Sequence, residues 1–509
     1  MYLLRLALGV AFINCLPQTV FAAVTTDSGD TAWTLTATAL VLLMTLPGLA
    51  LFYAGLVHSK NVVSVLMHHF SVACLMSVMW VVAGYSLAFS GDAPWVGNFN
   101  NFLMAKLDIG DISGSIPESV FAAFQMTFAI ITPALIIGAY VERMKFSAIL
   151  WFSTLWLLIV YAPVTHWVWG GGIMAAWGVM DFAGGIVVHA TAGSAALVCA
   201  LVVGKRRNFP KSVNPPHSPI LTMIGASMLW IGWFGFNGGS ALSAGNSAGM
   251  AMLVTHIAAA TASVVWMGIE WVRFRRPSLV GIVTGMVAGL ATVTPASGFI
   301  GIPGGFILGI TGGISCYVAV DFVRVRMKID DSLDVFAVHG VGGIVGSLLV
   351  AWLALPAFNG SGLPDGVTVT SQFGVQLTSV AITVGWTIIA SAVILKIIGA
   401  VIGLRVEQQD EIEGLGAGAE LGCDPLLDLA EQFGLELDVA GLVDPVHVAE
   451  GERGDPPALV TKTQGLHDLR DIAGRGVERV VCALVLDAVL FAADDTDLDL
   501  EDRVDVLQP

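Results

Sequence analysis

Charge is what this 509-residue chain has least of: 12% of its residues are Asp, Glu, Lys or Arg, where soluble domains carry roughly 25%. With 56% hydrophobic residues, that scarcity places it among integral membrane proteins. Cysteine is sparse and scattered, at 15, 74, 199, 316, 423 and 482, so neither a CxxC motif nor a disulfide framework is present. The apolar segments lack the alternation of a membrane β-barrel and run continuously instead. Lysine is almost missing from residues 417–509, where Lys462 stands alone. Residues 405–509 hold 25 acidic against 7 basic residues, so they offer no surface for a nucleic-acid backbone.

What is abundant is apolar sequence. Eleven segments reach the roughly 20 residues a helix needs to cross a bilayer, near 33–57, 62–90, 119–141, 146–164, 182–204, 219–237, 251–272, 278–297, 302–323, 335–356 and 375–404. The 58 glycines allow the close helix approach that membrane packing uses. The fold class expected is an all-α integral membrane protein with a long eleventh helix.

Basic residues mark alternate loops. Lys60, Arg143, Lys145, Lys205, Arg206, Arg207, Lys211, Arg273, Arg275, Arg276, Arg324, Arg326 and Lys328 fall in odd-numbered loops, and Arg405 follows the last span; the even loops hold Lys106 alone. The positive-inside rule then puts the odd loops and the C-terminus in the cytoplasm and the N-terminus outside. Ahead of the first span, residues 1–22 carry Arg5, an apolar run and small residues at Val20 and Ala22. They read as a signal peptide; the alternative is a twelfth helix interrupted by Asn14, Pro17 and Gln18. The net charge of −16 is uneven: residues 1–404 hold 14 acidic and 16 basic residues, a near-neutral membrane body. The acidic excess belongs to the tail.

One pattern occurs twice. Residues 181–193 read DFAGGIVVHATAG and residues 331–343 read DSLDVFAVHGVGG, so Asp181, His189 and Gly193 recur 150 positions later as Asp331, His339 and Gly343. Ionisable groups entering apolar segments are costly unless they face a cavity or a partner. Two copies imply two repeats that bring their histidines to a common place near the membrane midplane. Burial favours uncharged imidazoles, and two neutral rings can share one N–H···N bond, a stepping stone for a small polar molecule and a separate route for a proton. The alternatives are a structural inter-helix hydrogen bond, or haem or metal ligation, for which no Cys or carboxylate stands at ligand spacing. Asp181 heads the fifth span, where helix N-termini favour a carboxylate; a structural and electrostatic role is expected. Asp331 and Asp334 are its structural or vestibular counterparts. His68, His69, His166 and His256 read as packing or vestibule residues.

These segments, with FQMTFAIITPALIIGA at 124–139, WGGG at 169–172 and WFGFNGGS at 233–240, closely resemble the ammonium transporter family (Amt/Mep/Rh), in its bacterial Amt branch, over roughly residues 30–414. Ala337 stands where the family more often has glycine. The resemblance implies an inverted five-helix repeat plus an eleventh helix, a homotrimer, one conduction path per subunit in the inner (cytoplasmic) membrane, no cofactor and no enzymatic activity. It assigns outer-site ammonium recognition to Trp169, Phe128 and Ser240, a gate to Phe128 and Phe236, and the pore to His189 and His339. Aromatic faces attract a cation by roughly 0.5–2 kcal/mol each, and a hydroxyl supplies a directed acceptor. Taken alone, Trp169 could be an interfacial belt residue, Ser240 a loop hydroxyl and either Phe ordinary core.

The resemblance also implies a PII-type nitrogen-regulatory partner on the cytoplasmic face. The family-like stub at 405–416 persists, but the match ends there. Residues 417–509 are read as a soluble regulatory domain, a weakly ordered acidic extension or a frameshifted end. The function expected is conduction of ammonia/ammonium. The alternative is an ammonium sensor signalling through the tail, although no kinase, cyclase or phosphodiesterase signature follows the last span.

Overall fold

Eleven helices long and apolar enough to cross a membrane follow one another along the chain: α1 Ser28–Leu56, α2 Ser59–Phe89, α3 Glu118–Tyr140, α4 Phe146–Ala176, α5 Gly185–Val203, α6 Pro219–Gly238, α7 Asn246–Phe274, α8 Leu279–Ala296, α9 Ile302–Arg326, α10 Phe336–Leu353 and α11 Val369–Val401. A short α12 covers Gln408–Glu413, and a two-stranded antiparallel hairpin (β1 Ile112–Ser113, β2 Ile116–Pro117) lies in the loop before α3. The computed structural model describes residues 25–207, 209–210 and 215–415. All of these belong to one unit. The expected signal peptide and the acidic tail both lie outside the described residues.

The expected spans agree with these helices, with the largest differences at polar ends. α4 stays helical through Val168 and resumes at Ile173–Ala176 beyond the Trp169–Gly172 turn. α11 begins at Val369 rather than near 375 because Thr368 and Ser371 cap each other's backbone N–H groups, a reciprocal capping box.

Helix regularity breaks where the duplicated histidines lie. Gly185–Ala190 and Phe336–Gly340 are π-helical turns, and so is Phe234–Gly238 in α6. Further π turns lie at Met44–Leu49, Trp80–Gly84, Leu157–Tyr161 and Phe322–Arg326. With the spans in succession, α5 starts on the face carrying the even-numbered loops and α10 on the face carrying the odd-numbered ones. Equal Asp-to-His spacing therefore carries both imidazoles to the middle from opposite sides.

Small residues set how closely the two helices cross. A Cβ on Gly193 would lie 2.3 Å from the Gly340 Cα, and one on Gly343 would lie 2.6 Å from the Gly185 carbonyl oxygen and 2.6 Å from the His189 Cβ. The glycine that closes each copy of the motif is thus the contact point with the other copy. The same device packs α8 on α7, where a Cβ on Gly289 would meet the Ala258 carbonyl at 2.4 Å.

Candidate conduction path

From the even-loop face inward, the first group is Trp169, which caps the end of the main helical part of α4. Its indole N–H donates to the Asp181 carbonyl at 2.8 Å. Asp181 in turn accepts four backbone N–H groups, from Gly184 (2.9 Å) and Gly185 (2.6 Å) on one oxygen and Ile186 (2.8 Å) and Val187 (3.1 Å) on the other. The carboxylate thus satisfies the orphan donors at the start of α5 and fixes the turn on which Trp169 hangs. Gly184 has φ +108°, and a Cβ there would also press on Val188; glycine suits that conformation.

Ser240 follows the π turn of α6, and its hydroxyl donates to the Phe236 carbonyl at 2.8 Å, so its oxygen lone pairs remain to accept. The loop that holds it is tied down by Trp33, whose indole donates to the Gly238 carbonyl at 3.0 Å, and by Asp30, which accepts the Ala244 N–H at 2.8 Å. Trp169 and Ser240 are half-buried.

Below them the aromatic rings form a line. Phe128 meets Trp169 edge-on at 5.8 Å between centroids and Phe236 at 4.4 Å. Phe128 is 1% exposed and Phe236 0%. Phe236 leads to His189 at 5.9 Å, which stacks on His339 at 5.3 Å and 20°. The two Nδ1 atoms are 3.3 Å apart, a contact in which one ring donates and the other accepts. His189 is also stacked on Trp233 at 5.4 Å, and the Trp233 indole is held by Thr294 Oγ1 at 2.9 Å. Nε2 of His189 is buried with no protein partner.

The line ends in a cavity of about 910 Å³ on the odd-loop face, bounded by His339 at one end and by Arg206, Arg324, Lys328 and Asp334 among others. Its wall is a polar network. Glu142 accepts from Asn61 (2.9 Å), pairs with Arg206 (3.0 Å) and lies 2.5 Å from His58 Nδ1. Arg206 reaches Asp330 at 2.8 Å, and the fully buried Arg143 donates to the Asp330 and Ala139 carbonyls and to Ser332. Burial pushes Glu142 up, but its His58 hydrogen bond and the Arg206 charge outweigh it and hold the carboxyl down at about 2. Residues 405–415 close on this network: Arg405 pairs with Glu411 at 2.7 Å, and the Leu415 N–H donates to Asn61 at 2.9 Å.

The expected site residues Trp169, Phe128, Phe236, His189 and His339 therefore lie in one sequence of contacts, and Ser240 is tied to its Phe236 link. Asp331 and Asp334 lie beyond His339 rather than in the line. His68, His69 and His166 are buried; His166 meets the Ala88 and Ala93 carbonyls at 3.0 and 2.6 Å. His256 is exposed, against Trp230 and Phe234. Three contributors escaped the sequence reading. Phe124 meets Phe128 edge-on at 5.0 Å, four residues earlier on the same helix face. Trp233 stands beside His189. The His58–Glu142–Arg206–Asp330 network joins residues from four separate segments. Among the described residues, no group of three His, Cys, Asp or Glu side chains is placed to hold a metal ion.

The model of the Ammonium Transporter Family matches residues 32–419. The chain is 44% identical over 392 residues to the ammonium transporter Amt1 of Archaeoglobus fulgidus, covering 76% of this chain and 97% of that one. The chain belongs to the ammonium transporter family. An ammonium transporter of Bacillus subtilis is 42% identical over 395 residues, covering 76% and 96% of the two chains. Among solved structures, Mep2 of Saccharomyces cerevisiae aligns with a TM-score of 0.69 at 34% identity over 75% of this chain and 88% of that one. A sensor Amt protein aligns at 0.72 with 29% identity over 77% and 98%. Membership in the ammonium transporter family accords with the eleven spans and their order.

Proposed function

We propose that this protein conducts ammonium, as ammonia with or without a separate proton, across the cytoplasmic membrane. The observation that carries the reading is the 3.3 Å contact between the two Nδ1 atoms of His189 and His339 at the end of the aromatic line, because a paired donor and acceptor in an apolar path suits a small polar molecule and not a hydrated ion. Ammonium is recognised on the even-loop side by the faces of Trp169 and Phe128 and by the Ser240 hydroxyl. It loses a proton at the mouth, since a bare cation in an apolar path lacks the hydration that water supplied. The buried Phe128–Phe236 pair is the gate that ammonia displaces to reach the histidines. Asp181 holds the outer site by anchoring α5, and adds a favourable field for a cation.

The same reading places the odd-loop face inside and the N-terminus outside, in keeping with the basic loops. A homotrimer with one path per subunit, and docking of a PII-type regulator on the cavity face, belong to the proposal as well. Ammonium uptake into vesicles reconstituted with the full chain tests it. Saturable uptake in wild type, lost in His189→Ala, is the expected result; uptake indifferent to both His189→Ala and His339→Ala would overturn it. A second reading, an ammonium sensor signalling through the C-terminal tail, draws on the likeness to the sensor Amt protein. It requires ammonium binding without net uptake in the same vesicles.

A further inference from the structure

The two copies of the duplicated motif are not equal in how they treat their aspartates. Asp181 spends both oxygens on four backbone N–H donors. Asp331, its counterpart, accepts the Phe336 N–H at 2.7 Å on Oδ2, while its Oδ1 is buried without a partner. A buried carboxylate oxygen left unpaired is costly, unless the group carries a proton.

Three residues on, Asp334 repeats the deficit. Its Oδ2 meets Arg324 at 2.7 Å, its Oδ1 is buried and unpartnered, and the side chain lines the cavity that ends at His339. Asp334 takes a left-handed backbone (φ 58°), and its N–H donates to the Asp331 carbonyl at 3.2 Å. One tight turn thus holds two carboxyls at the foot of α10, whose first turn carries His339.

We propose that Asp331 and Asp334 share one proton and pass it to ammonia leaving His339, making them the inner protonation site of the conduction path. The inference rests on the transport reading above. In the step, the lone pair of ammonia takes the carboxylic proton, the O–H bond breaks with its electrons left on the carboxylate, and ammonium leaves into the cavity. The carboxylate then regains a proton from the water of the cavity. Burial first, then the charge of Asp334, pushes Asp331 up to about 7, against the N–H bonds from Phe336 and Val335 and the charge of Arg324. Burial first, and the Asp330 charge, also raise Asp334, against Arg324 and Arg206. The other titratable groups that sense the Asp331 charge are Arg143 after α3, Tyr53 on α1 and Cys199 on α5. Only Arg143 among these adds a positive charge, and it is already engaged by backbone carbonyls and Ser332.

The test uses the full chain in phospholipid vesicles, varying pH on the odd-loop side alone. Two readouts are taken: methylammonium uptake, and the infrared carbonyl stretch of protonated carboxyls. In wild type, a carboxylic band is expected to titrate close to neutrality, and uptake is expected to follow the same midpoint. Asp331→Asn should remove that band and flatten the pH profile while leaving half-saturation on the even-loop side unchanged. Asp334→Asn should move the band's midpoint to lower pH, and the double variant should slow uptake by about a hundredfold. A transporting wild type with no titrating band overturns the carboxyl pair alone, as does an Asp331→Asn variant with the full wild-type pH profile. A wild type that takes up neither ammonium nor methylammonium overturns the transport reading itself.

Discussion

Gly193 and Gly340 meet backbone to backbone: a single added methyl on Gly193 would stand 2.3 Å from the Gly340 Cα. The contact joins α5 to α10 one turn past His189 and immediately after His339. The closeness of the two imidazoles is therefore a consequence of glycine placement.

Gly193→Ala is the direct check. Overpacking of a tight contact costs about 1–3 kcal/mol, and the nearest relief is for α5 and α10 to move apart. The expected outcome is an assembled protein whose ammonium uptake falls about tenfold, the ratio that 1.4 kcal/mol represents. Wild-type uptake in Gly193→Ala would show that the path tolerates a wider histidine pair.

For the histidines themselves, His189→Ala is expected to abolish selective ammonium uptake while the protein still assembles as wild type does by size. An acidic replacement, His189→Glu, should retain conduction but admit other cations, because a carboxylate stabilises an ion where imidazole favours a neutral molecule. Competition by potassium in the uptake measurement reads the difference. A His189→Ala, His339→Ala double variant with full rate and selectivity would remove the pair from the mechanism.

The sequence exposed some layers of this protein and hid others, for physical reasons. Apolar length shows a span directly, so all eleven helices were legible; their ends were not, because Thr368 and the Trp169–Gly172 turn are polar extensions outside the apolar window. The Asp–His–Gly pattern was legible because it is written twice at one spacing, and the π turns that aim its imidazoles add nothing visible to the letters. Trp169, Ser240 and Phe236 needed the family resemblance, since each alone reads as belt, loop or core. The His58–Glu142–Arg206–Asp330 network was invisible because its members lie far apart in the chain. The unequal state of Asp181 and Asp331 was hidden too: equal letters at equal spacing received four backbone donors in one copy and far fewer in the other.

If Trp169 recognises the cation as proposed, Trp169→Leu should weaken selection of ammonium and methylammonium, since an aromatic face contributes roughly 0.5–2 kcal/mol. Ser240→Ala should raise the half-saturation concentration modestly, in line with about 1 kcal/mol for one hydrogen bond, and leave the maximal rate alone. Concentration curves for both variants decide this, and unchanged curves would place recognition elsewhere.

The His58–Glu142 contact sets a pH dependence on the odd-loop face. The Glu142 hydrogen bond raises His58 above its ordinary value of 6.5 against burial. A raised histidine contributes stability that is complete below 6.5 and fades as pH climbs through its folded value. Glu142, held at about 2 against a usual 4.5, contributes above 4.5 and fades as pH falls toward 2. Hydrogen exchange of the loop backbones at 57–61 and 141–145 should therefore be slowest between those limits. Glu142→Gln should abolish the alkaline limb, and an unchanged alkaline limb would separate His58 from Glu142.

The stub and the tail can be separated by where the chain is cut. Residues 405–415 are bound into the cavity face: Arg405 pairs with Glu411, the Lys60 ammonium donates to the Glu411 and Ile412 carbonyls, and the Val406 N–H donates to the Arg143 carbonyl at 3.1 Å. A stop after Gly416 keeps every one of those bonds and removes most of the acidic residues of the tail. Uptake is expected to stay at the wild-type rate, and a PII-type regulator, if it docks as proposed, to bind at least as well as to the full chain, because the bonded stub is kept and the acidic excess is removed. A stop after Leu404 instead removes the partners of the Lys60 ammonium, the Arg143 main-chain carbonyl and the Asn61 side-chain oxygen on that face. It is expected to lower thermal stability and to weaken regulator binding while the histidine path stays intact. Uptake lost on cutting after Gly416, with the wild-type assembly size retained, would make the acidic tail a working part of the transporter.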